Sequence, residues 1–595
     1  VPGDTLNSLL DRAAGFPETG LRFLDRRERE SWAGWPEIRA AALRVAGSLR
    51  HRGVEPGERV ALVYPTGVDF FHAFFGILLA GAVPVPLYPP VRLGRLEEYH
   101  HRTARMLAAA GARMVLTEKR IQRLLGPTVM EARPPLGCRT LDELPPGDAA
   151  ESAAESAPVD PTDLALVQFS SGTTVDPKPV ALSHRAVLAQ VRALNGFWPD
   201  APAPEPGQAE KQSGVSWLPL YHDMGLIGCI FPALERPGVL TLIGPEVFVV
   251  RPAVWLRAIS RYHATISVAP NFAYGLCVEK VRDRELDGVD LGGWRVALNG
   301  AEPVAPGVLR AFQERFARWG FRPEALTPVY GLSEATLAVT FSDLETPFHG
   351  ERFDRELLAG DGEARPAPDG IELVSVGRPI PGFEIEVVNG DGEPLPEGRV
   401  GVVHARGPSL MEGYLGRPEA TAKAMPGGWL DTGDLGFLHR GELFLTSRAK
   451  DVVILRGRNY SPVEIEHAVE EVPGFRSGCA VAVSWLPEGA PGERLLLFVE
   501  HRRGAAPEVV AELPEACREA VLGATGLRPD EVLALEPGTL PRTSSGKLRR
   551  RETLHRHLAG ELEPPERVTP LYLTRAFARS ALAYARNKLR GAHDD

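Results

Sequence analysis

Ser170, Ser171, Thr173 and Thr174 crowd around Gly172 directly after the apolar run LALVQF, in the segment FSSGTTVDPKPV that also holds Lys178. A turn of this composition can surround phosphate oxygens with hydroxyl and backbone N–H donors, and the lysine adds positive charge. It is not the GxxxxGK[ST] phosphate loop, which occurs nowhere in the chain. Taken alone, a turn of this composition is usually only a turn. The SxxK spacing at Ser544 has the form of a serine–lysine hydrolase pair, but the companion motifs of such enzymes are absent. The five cysteines (Cys138, Cys229, Cys277, Cys479 and Cys517) are scattered without a CxxC. That spacing argues against a zinc cluster or a disulfide framework and fits a reducing cytoplasm.

Four further segments follow in order: GAEP from Gly300, YGLSEAT from Tyr330, DTGDLG from Asp431 and RTSSGK from Arg542. With them the chain resembles the adenylate-forming enzymes: acyl-CoA synthetases, luciferases, peptide-synthetase adenylation domains and fatty acyl-AMP ligases. The resemblance runs from about Trp35 to Leu554. WLPLYHDMGLIG from Trp217, APNFAYGLCVEKV from Ala269 and NGAEPV from Asn299 are similar to the fatty acyl-AMP ligase forms. So is the segment 346–370, which sits where those ligases carry an insertion held to hinder a CoA-dependent second step; its alternative is a variable surface loop. The resemblance implies ATP- and Mg²⁺-dependent conversion of a fatty acid to fatty acyl-AMP, then acyl transfer to the phosphopantetheine thiol of an acyl carrier protein. An acyl-CoA synthetase and a catalytically weak adenylation-like binding protein are the alternatives.

Residue roles follow from the resemblance together with chemistry. Glu334 is the candidate Mg²⁺ carboxylate, since this ion prefers oxygen ligands and bridges to phosphate. Asp434 is expected to accept hydrogen bonds from ribose hydroxyls, with Arg448 supporting the ribose or phosphate. Ala301, Glu302 and Tyr330 are expected to bracket adenine, and Gly331 and Ser333 belong to the same nucleotide set. Lys547 is the candidate for stabilising charge on the phosphoryl oxygens during adenylation, and it is expected to be exposed without ligand. His222, in YHDMG, joins Lys547 and Glu334 as a catalytic candidate. Met224, Ile227, Gly228, Phe272 and Tyr274 are expected to line an acyl tunnel, with core packing as the alternative. Two positions depart from the family pattern: Val175 and Pro179 stand where glycine is usual. A valine forced into a left-handed conformation would cost roughly 1–2 kcal/mol, so the phosphate loop takes another path or its contacts are altered.

These residues need a frame. A helix through IRAAALRVAGSLRHRG, stopped by Gly53, is followed by the strand RVALVY, a helix over 68–80 and the strand AVPVPLY. That order predicts parallel pairing and an α/β fold. From about 375, FEIEVV and GRVGVVHARG flank an NGDG turn and read as a β-rich subdomain. The expected organisation is a large N-terminal adenylation domain over 1–447, a hinge at 448–450 pivoting on Lys450, a small mobile α+β domain over 451–560 carrying Lys547, and a helical tail over 561–595. The stretch from Gly147, GDAAESAAESAPVDP, reads as a linker. In the tail, Leu571, Phe577, Ala581 and Leu582 are expected inward, with Arg575, Arg579 and Arg586 on other faces. The expected fate of this helix is packing on its own domain or leading to a further domain, with membrane contact the lesser alternative.

The 595 residues exceed one ordinary domain, and 44% hydrophobic with 24% charged residues is a globular balance. A net charge of −10 argues against a nucleic-acid binder. The opening VPGDTLNSLLDR lacks the features of a signal peptide. The run from Phe70, interrupted by His72, Pro84 and Pro86, falls short of the roughly 20 uninterrupted apolar residues a membrane span needs.

Overall fold

The computed structural model describes residues 4–145, 156–169, 178–197, 213–487, 492–543 and 546–591, with side chains to 587. Ser170, Ser171, Gly172, Thr173, Thr174, Val175 and Ser544 lie outside the described residues, as do positions 147–155 of the linker-like stretch.

The strand–helix–strand reading near the start holds. Arg59–Val63 pairs in parallel with Val83–Leu87 on one side and Ala112–Thr117 on the other, and Cys138–Arg139 completes a four-stranded sheet. The connecting helix Val68–Leu79 is apolar on nearly every face and correspondingly buried, from Phe70 to Leu79. It packs on the helix Trp35–His51. Gly76 makes that approach possible, since a Cβ there would stand 2.5 Å from Val45 Cγ1. Among the described residues no helix is long and apolar enough to cross a membrane.

A nine-stranded sheet forms the second layer system. At its centre Val239–Ile243, Ser213–Ser216, Ile266–Ala269, Val296–Asn299 and Leu326–Gly331 run parallel, so their C-terminal ends share one edge. In open α/β sheets that edge is where ligands bind. Two of the motifs lie there by construction: GAEP leaves the end of Val296–Asn299, and YG closes Leu326–Gly331. The β-rich part is a four-stranded antiparallel sheet of Glu384–Val388, Gly401–Arg406, Leu430–His439 and Glu442–Arg448. Segment 346–370 is no loose surface loop. It forms the strand Gly350–Phe353 and the helix Arg355–Gly360, with Phe353 fully buried against Phe437 and Phe444.

Beyond Asp451 the apolar packing forms clusters of its own around Phe475–Trp485, Arg494–His501 and Glu531–Leu535. The result is a large N-terminal part and a smaller C-terminal one. The tail differs from expectation. The helix Pro570–Gly591 leaves the small domain and packs against Gly126–Ala132 of the N-terminal part. Its buried residues are Ser580 and Ala583, with Tyr584 half-buried, whereas Leu571, Phe577 and Leu582 face outward. The physical reason is close approach: Gly126 has no side chain, and its N–H donates to Ser580 Oγ at 2.8 Å. Small residues, not the largest apolar ones, let the helix seat there.

Candidate active site

The ribose candidates converge. Asp434 and Arg448 are register partners on neighbouring strands, and Arg448 Nε lies 3.0 Å from Asp434 Oδ1. Tyr330 Oη donates to the other oxygen, Oδ2, at 2.7 Å. The carboxylate is buried, with one oxygen held by a cation and the other by a phenol, so its orientation is fixed in advance. Burial and the Asp434 charge push the Tyr330 phenol well above its ordinary range, so it stays a donor. Gly331 is required for backbone reasons: a Cβ there would stand 1.8 Å from the Leu337 carbonyl oxygen.

Lys547 is half-buried and not exposed as expected; burial, with the nearby Arg448 charge, lowers its pKa against the pull of Asp223, Glu302 and Asp434. Its loop is internally pinned. Thr543 N–H donates to the Lys547 carbonyl at 2.8 Å, Lys547 N–H donates to Thr543 Oγ1 at 3.0 Å, and Gly546 takes φ +95°. The small domain therefore sits with its lysine half-buried in the field of Arg448, Asp223, Glu302 and Asp434 of the large one.

His222 lies against Asp223, Nδ1 to Oδ1 at 2.5 Å, and Ser333 Oγ donates to Asp223 Oδ2 at 2.5 Å. Burial opposes the charge on Asp223, yet His222, the Ser333 hydroxyl and Lys547 hold its carboxyl far below the usual carboxylate range. Ser333 thus points to this acid. Glu302 Oε1 accepts the Phe272 N–H at 2.5 Å, and burial raises its pKa against the pull of Lys547 and Arg542. This ties the GAEP turn, where Ala301 takes φ +69°, to the start of the helix Asn271–Lys280.

Glu334 has a partner of its own. Its Oε1 accepts from Tyr414 Oη at 2.9 Å, and Lys178 Nζ lies 4.5 Å from the centre of the Tyr414 ring. Burial raises the Glu334 pKa, an unfavourable charge that a cation would relieve. Among the described residues no three acids, histidines or cysteines converge on one point. The residues therefore fit an ion held by one carboxylate, whose other positions go to phosphate oxygens and water, as Mg²⁺ prefers. Pro179 begins the strand Pro179–Ser183, a position where a missing N–H is tolerated.

The five acyl candidates separate. Gly228 lines a cavity of about 90 Å³ under Ser213–Ser216, Val239–Ile243 and Ile266–Ala269, with Val215, Leu240 and Val268. Met224 and Ile227 are buried beside it in sequence, and Phe272 is 41% exposed with its ring edge-on to Trp217. Tyr274 belongs to the core and not to a tunnel wall: it is fully buried, its Oη donates to the Leu298 carbonyl at 2.9 Å, and its ring packs on Trp255 and Phe312. Lys450 is exposed, and its carbonyl accepts from Arg551 Nε at 2.8 Å. Asp223 and Tyr414 were missed as functional candidates; Asp223 had a signal in its place beside His222, whereas Tyr414 lies in no acid–base pattern.

The profile of the family described as AMP-binding enzyme matches residues 11–415. The chain belongs to the AMP-binding enzyme family. A solved structure from work on fatty acyl-adenylate ligases of E. coli and L. pneumophila superposes with TM-score 0.85 at 34% identity, covering 93% of this chain and 98% of the other. JamA of Moorena producens, named a medium-chain-fatty-acid–[acyl-carrier-protein] ligase, is 33% identical over 91% of this chain and 92% of its own. A Caulobacter vibrioides relative provisionally named an acyl-CoA synthetase is 36% identical over 93% and 96%. Within the AMP-binding enzymes the chain stands with the fatty acyl-AMP ligases.

Proposed function

We propose that the protein activates a fatty acid with ATP to fatty acyl-AMP and then passes the acyl group to a carrier-protein thiol. The observation that carries this reading is the Tyr330–Asp434–Arg448 cluster, which holds both oxygens of the Asp434 carboxylate, with Lys547 of the small domain half-buried in the field of Arg448 and Asp434. Asp434 receives the ribose hydroxyls. The acid's carboxylate oxygen attacks the α-phosphorus; a new P–O bond forms as the bond to pyrophosphate breaks. Negative charge grows on the phosphoryl oxygens, and Lys547 meets it with a cation positioned beforehand. Mg²⁺, bound through Glu334, would neutralise phosphate charge. No side chain acts as nucleophile; the protein positions and supplies charge.

The acyl-CoA synthetase reading has the Caulobacter relative's provisional name behind it. Against it stands segment 346–370, whose helix reaches the small domain through Arg355 and Glu464, 2.6 Å apart. It lies where fatty acyl-AMP ligases carry an insertion that acyl-CoA synthetases lack. Fatty-acid-dependent exchange of labelled pyrophosphate into ATP tests the first step. Exchange that requires a fatty acid supports the reading; exchange indifferent to it, or absent, refutes it.

A further inference from the structure

Lys547 is carried on the loop between Leu540 and the helix Arg550–Leu558, and both stems of that loop are held by a single turn of the large domain. Before the loop, Arg95 Nη2 donates to the carbonyls of Gly538 and Thr539, each at 3.2 Å. After it, Arg556 forms a two-pronged pair with Glu98, at 2.9 and 3.3 Å. Arg95 and Glu98 face each other across one helical turn, 3.6 Å apart. The chain's last segment then returns to the same turn. Arg95 Nη2 also reaches the Glu563 carbonyl at 2.9 Å, Glu566 N–H donates to the Gly94 carbonyl at 3.1 Å, and Tyr572 Oη donates to the Leu93 carbonyl at 2.6 Å. Arg579 pairs with Glu97. Gly94 is fitted to this approach, since a Cβ there would meet the Glu566 carbonyl oxygen at 2.4 Å.

We propose that Arg95 and Glu98 are positioning residues for adenylation: they hold both stems of the Lys547 loop, and the tail helix braces the turn that carries them. The inference rests on the adenylation reading above. Neither residue is placed in contact with substrate. Their effect passes through the position of one ammonium group, and displacement of a reacting group by about 1 Å can cost on the order of 10²-fold in rate. Arg95 acts on backbone carbonyls, so it sets the height of the incoming strand end. Glu98 accepts a fork of two N–H groups, which fixes direction as well as distance. The tail's contribution is mechanical. Ser580 is fully buried against Gly126, whose added Cβ would lie 2.2 Å from the Ser580 carbonyl oxygen, so a larger side chain on either residue lifts the helix.

The test compares full-length wild type, Lys547→Ala, Arg95→Ala, Glu98→Ala and Ser580→Arg in two assays: acyl-AMP formation, and transfer from preformed acyl-AMP to a holo-carrier protein. Ser580→Arg alters the tail alone, and so probes the brace without cutting into the large domain. Arg95→Ala and Glu98→Ala are expected to lower kcat for acyl-AMP formation about tenfold, the rate equivalent of one lost charge-assisted hydrogen bond, with KM for ATP and acid within about twofold. Transfer stays within about twofold, and Ser580→Arg moves adenylation in the same direction by a smaller factor. If the wild type forms acyl-AMP and these variants match it, the inference falls while the function stands. It also falls if both half-reactions drop together with the melting temperature, the mark of a merely structural role. An inactive wild type would overturn both.

Discussion

Lys547 concentrates the residue-scale argument. It is half-buried in the field of Arg448 and of three acids, and the group lost on substitution is a transition-state partner more than a fold element. Lys547→Ala should reduce acyl-AMP formation on the order of 10²–10³-fold, the usual cost of removing one preorganised charge donor. The melting temperature should stay near wild type, because the side chain supports no core contact; a mutant that adenylates normally would remove Lys547 from the mechanism. Tyr330, Asp434, Arg448 and Lys547 were legible in the sequence because five motifs in a fixed order imply one family frame, and the frame brings them together. Their partners were less so. Tyr414 serves Glu334 from a distant strand, and no spacing rule links residues 80 positions apart. Exposure of Lys547 was misjudged for a related reason: basic neighbours in RTSSGKLRRR suggest a solvated cluster, whereas Arg550 is spent on Asp451 and Glu466 and Arg551 on the Lys450 carbonyl.

At the scale of elements, periodicity revealed the helices and strands but not which face would be covered. The tail shows the limit. Its large apolar side chains marked one face, yet the partner surface offered a glycine notch, and Ser580 and Ala583 fill it. The cavity beside Gly228 shows the same for the acyl candidates: one residue of five lines it, because Tyr274 is consumed by the aromatic core. If this cavity is the acyl path, Gly228→Leu should shift preference toward shorter acids, since Gly228 lines it; a Cβ there also comes within 2.9 Å of Leu337 Cδ2, so that neighbour must give. An unchanged chain-length profile in a well-folded variant would remove the cavity from the acyl path. A second element-scale outcome concerns acid. His184 is buried and its Nδ1 accepts the Leu6 N–H at 3.1 Å; burial pushes its pKa down to about 4. Between that value and the unfolded value of about 6.5, the unfolded chain binds the proton and the folded one does not. The stabilisation is therefore whole above about pH 6.5 and is lost as pH falls toward 4, about 3 kcal/mol in full. Chemical denaturation at pH 7 and pH 5 should show the loss, and His184→Gln should flatten the slope; a steepened slope would contradict it.

At the scale of the molecule, two bodies meet through a short exposed connection at Lys450, and among the described residues contacts on several sides hold them together. Segment 346–370 grips one side through Arg355, the turn Leu93–Glu98 grips the other, and the tail helix packs back on Gly126–Ala132. Large-and-small organisation was visible in the sequence as a change of character after 450; the return of the tail to the large part was not, because nothing in a helix's own residues names a partner hundreds of positions away. If Lys450 is the pivot, Lys450→Pro, which fixes φ near −65°, should trap one arrangement and spare one half-reaction more than the other. Equal, near-normal rates of pyrophosphate release and of transfer from preformed acyl-AMP would show that the bodies do not turn there. The central claim is most directly tested by the product itself. Full-length protein is incubated with ATP, Mg²⁺, a fatty acid, CoA and a holo-carrier protein, and acyl-AMP, acyl-CoA and acyl-carrier are resolved by mass. The account predicts acyl-AMP first and acyl-carrier next, with little acyl-CoA. Acyl-CoA as the main product, or no acyl-AMP from any fatty acid, would contradict it.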